Sequence, residues 1–187
     1  MYGLIHQGLK DMVCSARGEQ VWREICEGVN RSSADFDPLH VFPDSDTSMM
    51  IGAVAQRLGL TVNEVLHRFG RHWITYTAIQ GYGPILDLLG HSFRACLGNL
   101  NRMHSHMGAM MPKLQPPRFT VEDRSANQIT VHYFSTREGL APMVVGLLEG
   151  LSERFKEPVV IEYIAKGIRS DHDEFDLFFE SGESATG

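Results

Sequence analysis

The stretch VHYFSTREGLAP, Val131 to Pro142, decides how the second half of the chain is read. As a strand, it alternates its side chains with period two, which puts Tyr133, Ser135 and Arg137 on one face. That face carries a phenol, a hydroxyl and a guanidinium, all hydrogen-bond donors and one permanently charged. Ile129 and Val131 have the same parity, so the face begins apolar and ends polar, as the rim of a covered cavity does. A buried Arg needs an anionic partner. Within the segment, Glu138 has the opposite parity, so an anion from a ligand or cofactor would satisfy the three donors. The competing reading is an outward polar face, common in half-exposed sheets.

Working outward, FTVEDRSANQITVHYFS reads as two strands around a polar turn at Asp123 to Asn127. GLAPMVVGLLEGLSERF reads as a helix. PVVIEYIAKG and DEFDLFFE alternate as strands, joined by a polar turn at Arg169 to Asp173. The tail SGESATG is expected to be disordered. Upstream, the patterns are helical. Leu4, Ile5, Leu9, Met12 and Val13 form one stripe, and a second helix is expected from Glu19 to Val29. RSSADFDPLHVFPDSD reads as a loop, after which Ser45 or Asp46 should cap a helix running to Leu58 and ended by Gly59. Thr61 and Glu64 form a capping box for a long apolar helix. GYGPILDLLG reads as a turn and a short helix. His91 to about Met107 forms another helix, with Phe93, Leu97, Leu100, Met103 and Met107 apolar, and the prolines of PKLQPPRF break it. The fold class is therefore α+β: a helical first half, then a small antiparallel sheet with a helix.

Composition narrows the function classes. The chain has 187 residues, 43% of them apolar and 21% charged, enough for one domain with a sizeable core. A net charge of −6 argues against nucleic acid or an anionic membrane as the main partner. Cys14, Cys26 and Cys96 are too few and scattered for a disulfide framework and fit a reducing cytoplasm. The N-terminus lacks the basic start and apolar core of a signal peptide, and no apolar run is long enough to span a bilayer. Nine Met suit an adaptable apolar cavity, and nine His suit metals.

In MHSH, His104 and His106 are two apart and so do not share a helix face. His104 joins the stripe of Leu97, Leu100 and Met107, whereas His106 faces water. Taken alone, a His on such a stripe is usually a satisfied core residue. DHDEFD, from Asp171 to Asp176, lacks the spaced ligands and central Gly of a calcium loop and reads as a solvated hairpin turn.

An apolar-stripe His, a proline-broken connection and Y-x-S-x-R some 29 positions later together resemble the haem-nitric oxide/oxygen binding (H-NOX) family. The resemblance runs from MYGLIHQGL through GYGPIL, LNRMHSHM, PPRF and YFSTREGLAPMVVGLLEGL to the last strand, and the bacterial nitric oxide sensors look nearest. It implies a single domain over residues 1–180, with a distal helical subdomain to about residue 60, a proximal one from about 61, and haem b between them. His104 matches the proximal haem ligand. Tyr133, Ser135 and Arg137 match the motif that binds the haem propionates, and Pro117 matches a proline that presses on the porphyrin. Leu4, Trp73, Met143 and Leu147 are aligned as distal pocket walls.

Oxygen-binding members of that family carry a Tyr just after the motif; here EGLAPMVV has none, and Pro142 stands at the aligned position. The resemblance therefore implies a cytoplasmic sensor of nitric oxide, and of carbon monoxide, that excludes dioxygen. The implied mechanism is a weakened bond to His104, relaxation away from Pro117, and rotation of one half against the other. The signal would pass to a separate histidine kinase or cyclic-di-GMP enzyme. No catalytic role is expected, since the chain has no length for a cyclase, kinase or phosphodiesterase domain. The alternatives are oxygen or redox sensing at the same haem, a peroxidase-like enzyme, and a cofactor-free domain that uses the donor triad to hold a partner's anion.

Overall fold

Residues 1–32, 36–77 and 89–179 are described by a computed structural model. The helical half begins with α1 (Gly3–Arg17) and α2 (Glu19–Gly28), separated at Gly18, whose φ of 84° favours a residue without a Cβ. The third helix, α3, runs from Asp44 to Leu58. It starts one to two residues before the expected cap: Pro43 precedes it with no side-chain cap bond, and Asp44 and Asp46 complement the dipole from within the first turn. Gly59 ends it in the left-handed conformation, as expected.

The capping box of α4 (Val62–Thr77) forms as the sequence indicates. The Glu64 carboxylate accepts from the Thr61 backbone N–H at 2.8 Å, and the Glu64 N–H donates to the Thr61 hydroxyl at 3.2 Å. The helix α5 (Phe93–Met110) is capped by Ser92, whose hydroxyl accepts from Ala95. The strands are β1 (Arg118–Ser125), β2 (Gln128–Phe134), β3 (Val159–Ile164) and β4 (Asp173–Phe179), with α6 (Ala141–Phe155) between β2 and β3. All pairings are antiparallel, in the order β1-β2-β4-β3. The α+β class and the elements read from the sequence therefore stand. The turn and short helix expected for GYGPILDLLG, up to Leu88, and the tail fall outside the described residues.

Two apolar clusters organise the chain. One joins α1, α2 and α3 to the first half of α4 through Leu9, Trp22, Val54 and Phe69. The other joins the sheet, α5 and α6, with Ile74 from the end of α4. Helix α4 serves both, and its crossing with α6 sets their spacing. A Cβ on Gly70 would lie 2.1 Å from the Met143 carbonyl oxygen, and one on Gly146 would lie 2.0 Å from that of His67. Only glycine permits so close an approach of two backbones. Among the described residues, no helix is long and apolar enough to cross a membrane.

His6 lies fully inside the first cluster, with Nε2 2.9 Å from the Thr47 hydroxyl and Nδ1 without a partner among the described residues. Burial pushes its pKa from 6.5 down to about 4. Between those values the unfolded chain binds a proton that the folded chain refuses, so stability is complete above pH 6.5 and declines as pH falls towards 4. The full difference corresponds to roughly 3 kcal/mol. In urea unfolding, His6→Gln should show a shallower loss of stability between pH 7 and pH 5 than the parent. Equal slopes would show that His6 does not drive the pH dependence.

Candidate functional site

Between the two clusters lies a cavity of about 710 Å³, within the range of small-molecule and cofactor sites. All nine site residues named from the sequence line it: His104, Pro117, Tyr133, Ser135, Arg137, Leu4, Trp73, Met143 and Leu147. Three come from the helix crossing, since Trp73 lies on α4 and Met143 and Leu147 lie on α6. Leu4 is supplied by α1.

His104 projects from α5 on the stripe expected, beside Leu97, Leu100 and Met107, while His106 is exposed. Its ring is 6.2 Å from that of Phe119, and its Nδ1 is buried with no partner among the described residues. Burial lowers its pKa, against a backbone hydrogen bond to Pro117 that raises it. The ring is thus held neutral, the form in which imidazole ligates a metal. The excess of methionine is also accounted for in part, since Met103, Met107, Met111 and Met143 are cavity walls.

The donor triad is arranged differently from an unbroken strand face. Tyr133 lies in β2 and is buried, with Ile129 and Val131 before it fully enclosed, but the strand ends at Phe134. The Arg137 N–H donates to the Ser135 hydroxyl at 3.0 Å, which turns the chain. The side chains of Ser135 and Tyr133 are hydrogen-bonded in turn, and burial, the larger effect, raises the Tyr133 pKa.

Arg137 also has an anionic partner from elsewhere in the chain. Its Nε donates to Asp44 Oδ2 at 2.7 Å, and Nη1 donates to the Gln115 carbonyl at 2.9 Å. Within its own segment Arg137 has no carboxylate on its face, and Asp44 stands 93 residues away. Need of an anion therefore does not by itself call for a ligand; the place of Arg137 on the cavity wall does so better. Asp44 also pairs with the N-terminal amine at 2.9 Å. The amine first and Arg137 second hold its carboxyl below the usual range. No local pattern marks this residue in the sequence.

The cavity suits a large planar cofactor with an iron centre and two carboxylates. Its walls are mostly apolar, one wall offers a neutral imidazole nitrogen, and the triad offers donors.

Comparison with known proteins agrees. The haem-NO-binding family model matches residues 2–163, and the chain belongs to that family. The soluble guanylate cyclases gcy-31 and gcy-32 of Caenorhabditis elegans are 29% and 26% identical over 88% and 82% of the chain. The chain spans about a quarter of the length of these relatives, 24% and 23%. An H-NOX protein from S. oneidensis in the Fe(II)NO ligation state superposes with a TM-score of 0.84 at 22% identity, over 97% of this chain and 100% of that one. An oxygen-binding H-NOX domain related to soluble guanylate cyclases gives 0.81 at 22%, over 97% and 96%. These structures share the fold.

The Asp44–Arg137 pair is half-exposed on the Asp44 side, so it should contribute under about 1 kcal/mol. Its contribution is present at neutral pH and is lost as pH falls through the depressed Asp44 value. Asp44→Asn removes the N-terminal amine contact as well, so urea unfolding at pH 7 should show a loss under about 2 kcal/mol, and a loss several times larger would mean these two pairs are far better shielded than their exposure implies.

Proposed function

We propose that this chain is a haem-based gas sensor that binds nitric oxide and carbon monoxide and excludes dioxygen. The observation that carries the reading is the buried Nδ1 of His104, without a partner among the described residues, in an apolar cavity that Tyr133, Ser135 and Arg137 also line. Haem b, when bound there, supplies a ferrous iron able to take a diatomic gas. His104 would hold the iron through a ring nitrogen, and Tyr133, Ser135 and Arg137 would hold the two carboxylates by charge-assisted hydrogen bonds. Pro117 borders the same cavity and restricts the shape of what fills it.

Gas choice follows from the remaining walls. Of Leu4, Trp73, Met143 and Leu147, Trp73 alone has a hydrogen-bonding N–H. Tyr2 also lines the cavity; its hydroxyl accepts from the Lys113 N–H at 3.2 Å and keeps its own O–H to donate. Pro142, in the first turn of α6, is the position that the resemblance aligns with the Tyr of oxygen-binding members; it is not among the residues lining this cavity, so the loss of that donor rests on the alignment. Bound dioxygen is polarised and gains about 1.5–3 kcal/mol from a donor; nitric oxide and carbon monoxide need one far less. Without a Tyr at that position, the cavity loses one donor to oxygen, worth roughly one to two decades of affinity, and keeps the Trp73 N–H and Tyr2 O–H as the groups that could replace it.

The residues also provide a route for a signal. His104 ties the site to α5, and the triad ties it to the end of β2. Arg137 continues across to Asp44 at the start of α3. Displacement at His104 is thereby felt by the helical half, and gas shifts the balance of two arrangements only by its differential affinity for them. We assign the chain no catalytic role. Its reader is proposed to be a separate cytoplasmic histidine kinase or cyclic-di-GMP enzyme.

His104→Ala, expressed without added imidazole, should lose haem or the five-coordinate histidine spectrum, while Arg137→Ala should retain haem more weakly. An unchanged spectrum in the first, or full retention in the second, removes that residue from its role. The reduced protein should form nitrosyl and carbonyl spectra and no stable oxy spectrum in air. A long-lived oxy complex would overturn the selectivity.

A further inference from the structure

The opposite face of β2 carries a second constellation of ligand atoms. His132 on β2 is the cross-strand partner of Glu174 on β4, and His172 ends the turn that leads into β4. Their side chains are well covered, with relative exposures of 17%, 7% and 14% respectively. His132 Nδ1 and His172 Nε2 are 2.8 Å apart. Glu174 Oε1 lies 3.7 Å from the first and 3.8 Å from the second. Donors bound to zinc at about 2.0–2.2 Å in a tetrahedron are about 3.3–3.6 Å from one another. The three atoms thus approximate one face of such a tetrahedron. Among the described residues, no other group of three His, Cys, Asp or Glu donors converges this way.

The outer ring nitrogens supply an independent observation. His132 Nε2 faces Glu122 Oε2 at 3.4 Å, and His172 Nδ1 faces Asp171 Oδ1 at 3.0 Å. Metal-ligating imidazoles characteristically donate their second N–H to a carboxylate, which fixes tautomer and orientation. With both rings donating outward, the two inner lone pairs and the Glu174 carboxylate converge on one point that a cation would satisfy; without one, the 2.8 Å nitrogen pair is a hydrogen bond between the imidazoles. The rings are also braced: Phe134 stacks on His172 with centroids 4.1 Å apart. Arg169 lies 3.5 Å from the other Glu174 oxygen and 2.7 Å from Asp176, so it occupies Oε2 and leaves Oε1 to the site.

We propose that His132, His172 and Glu174 bind a divalent transition metal of the zinc class, with a fourth position open to water. Two imidazoles and one carboxylate suit such an ion, and calcium, which takes six to eight oxygens, is poorly served. The ion would cross-link β2 to the turn before β4. His132 directly precedes Tyr133, so the cross-link lies one residue from the cavity, on the other side of the same strand.

The protein as isolated would be stripped with a chelator, dialysed, given zinc and measured by native mass spectrometry. One zinc per chain is expected in the parent and in His91→Ala, an exposed-histidine control. None is expected in the His132→Ala/His172→Ala double variant. The near-isosteric Glu174→Gln should bind at least about tenfold more weakly. Thermal melting in chelator guards against misfolded variants: Glu174→Gln should melt near the parent there, and added zinc should raise the melting temperature of the parent much more than that of the variant. Failure of the parent to bind zinc, retention of zinc by the double variant, or an equal response to calcium overturns the proposal.

Discussion

The close crossing of α4 and α6 is the constraint on which the rest of the molecule depends. Where Gly70 and Gly146 meet the opposing backbone, neither helix has room for a methyl group. The two apolar clusters are thereby held at one separation, and the cavity is the space left over. Side chains on either side of the contact, Trp73 from α4 and Met143 and Leu147 from α6, become its walls because the backbones bring them there. Interiors pack densely, so a site of about 710 Å³ needs rigid elements to hold its walls apart. Tight contact in one place makes open space in another.

The sequence exposed what is local or periodic. Helix stripes, the capping box at Thr61 and Glu64, the strand parity of Ile129, Val131 and Tyr133, and the breaking prolines all follow from spacing along one stretch of chain. The His104 stripe was legible for the same reason. What stayed hidden depends on contact between distant segments. Asp44 meets Arg137 only because the start of α3 folds against the turn after β2, and a search for the arginine's partner within its own segment had to miss it. DHDEFD, judged by itself, has too few ligands for calcium. Its His172 and Glu174 acquire a third donor only when β2 brings His132 beside them, which no linear spacing reveals. The cap of α3 was misplaced because Pro43 starts that helix without the side-chain bond that a sequence rule looks for.

Charge is distributed to match. The interior of the cavity is nearly neutral: burial keeps the His104 ring uncharged and the Tyr133 phenol protonated. Formal charge among the cavity residues is carried by Arg137, Asp44, Lys113 and the N-terminal amine, with Asp44 and Lys113 exposed. The thiol of Cys96, pushed up to about 11 by burial, is likewise an inert cavity wall. The chain therefore meets an apolar ring system with an apolar interior and keeps ionic contacts where water can share their cost.

β2 is a central strand with a different chemistry on each side. Tyr133 looks into the cavity and His132 looks away from it. Because the period of a strand is two, sliding β2 by one residue against its neighbours would exchange the two faces completely. The histidine would enter the cavity and the phenol would leave it. Length is therefore fixed along β2 itself, whereas the turn at Ala126 and Asn127, exposed between β1 and β2, is where the chain can gain a residue and still keep its two sides apart.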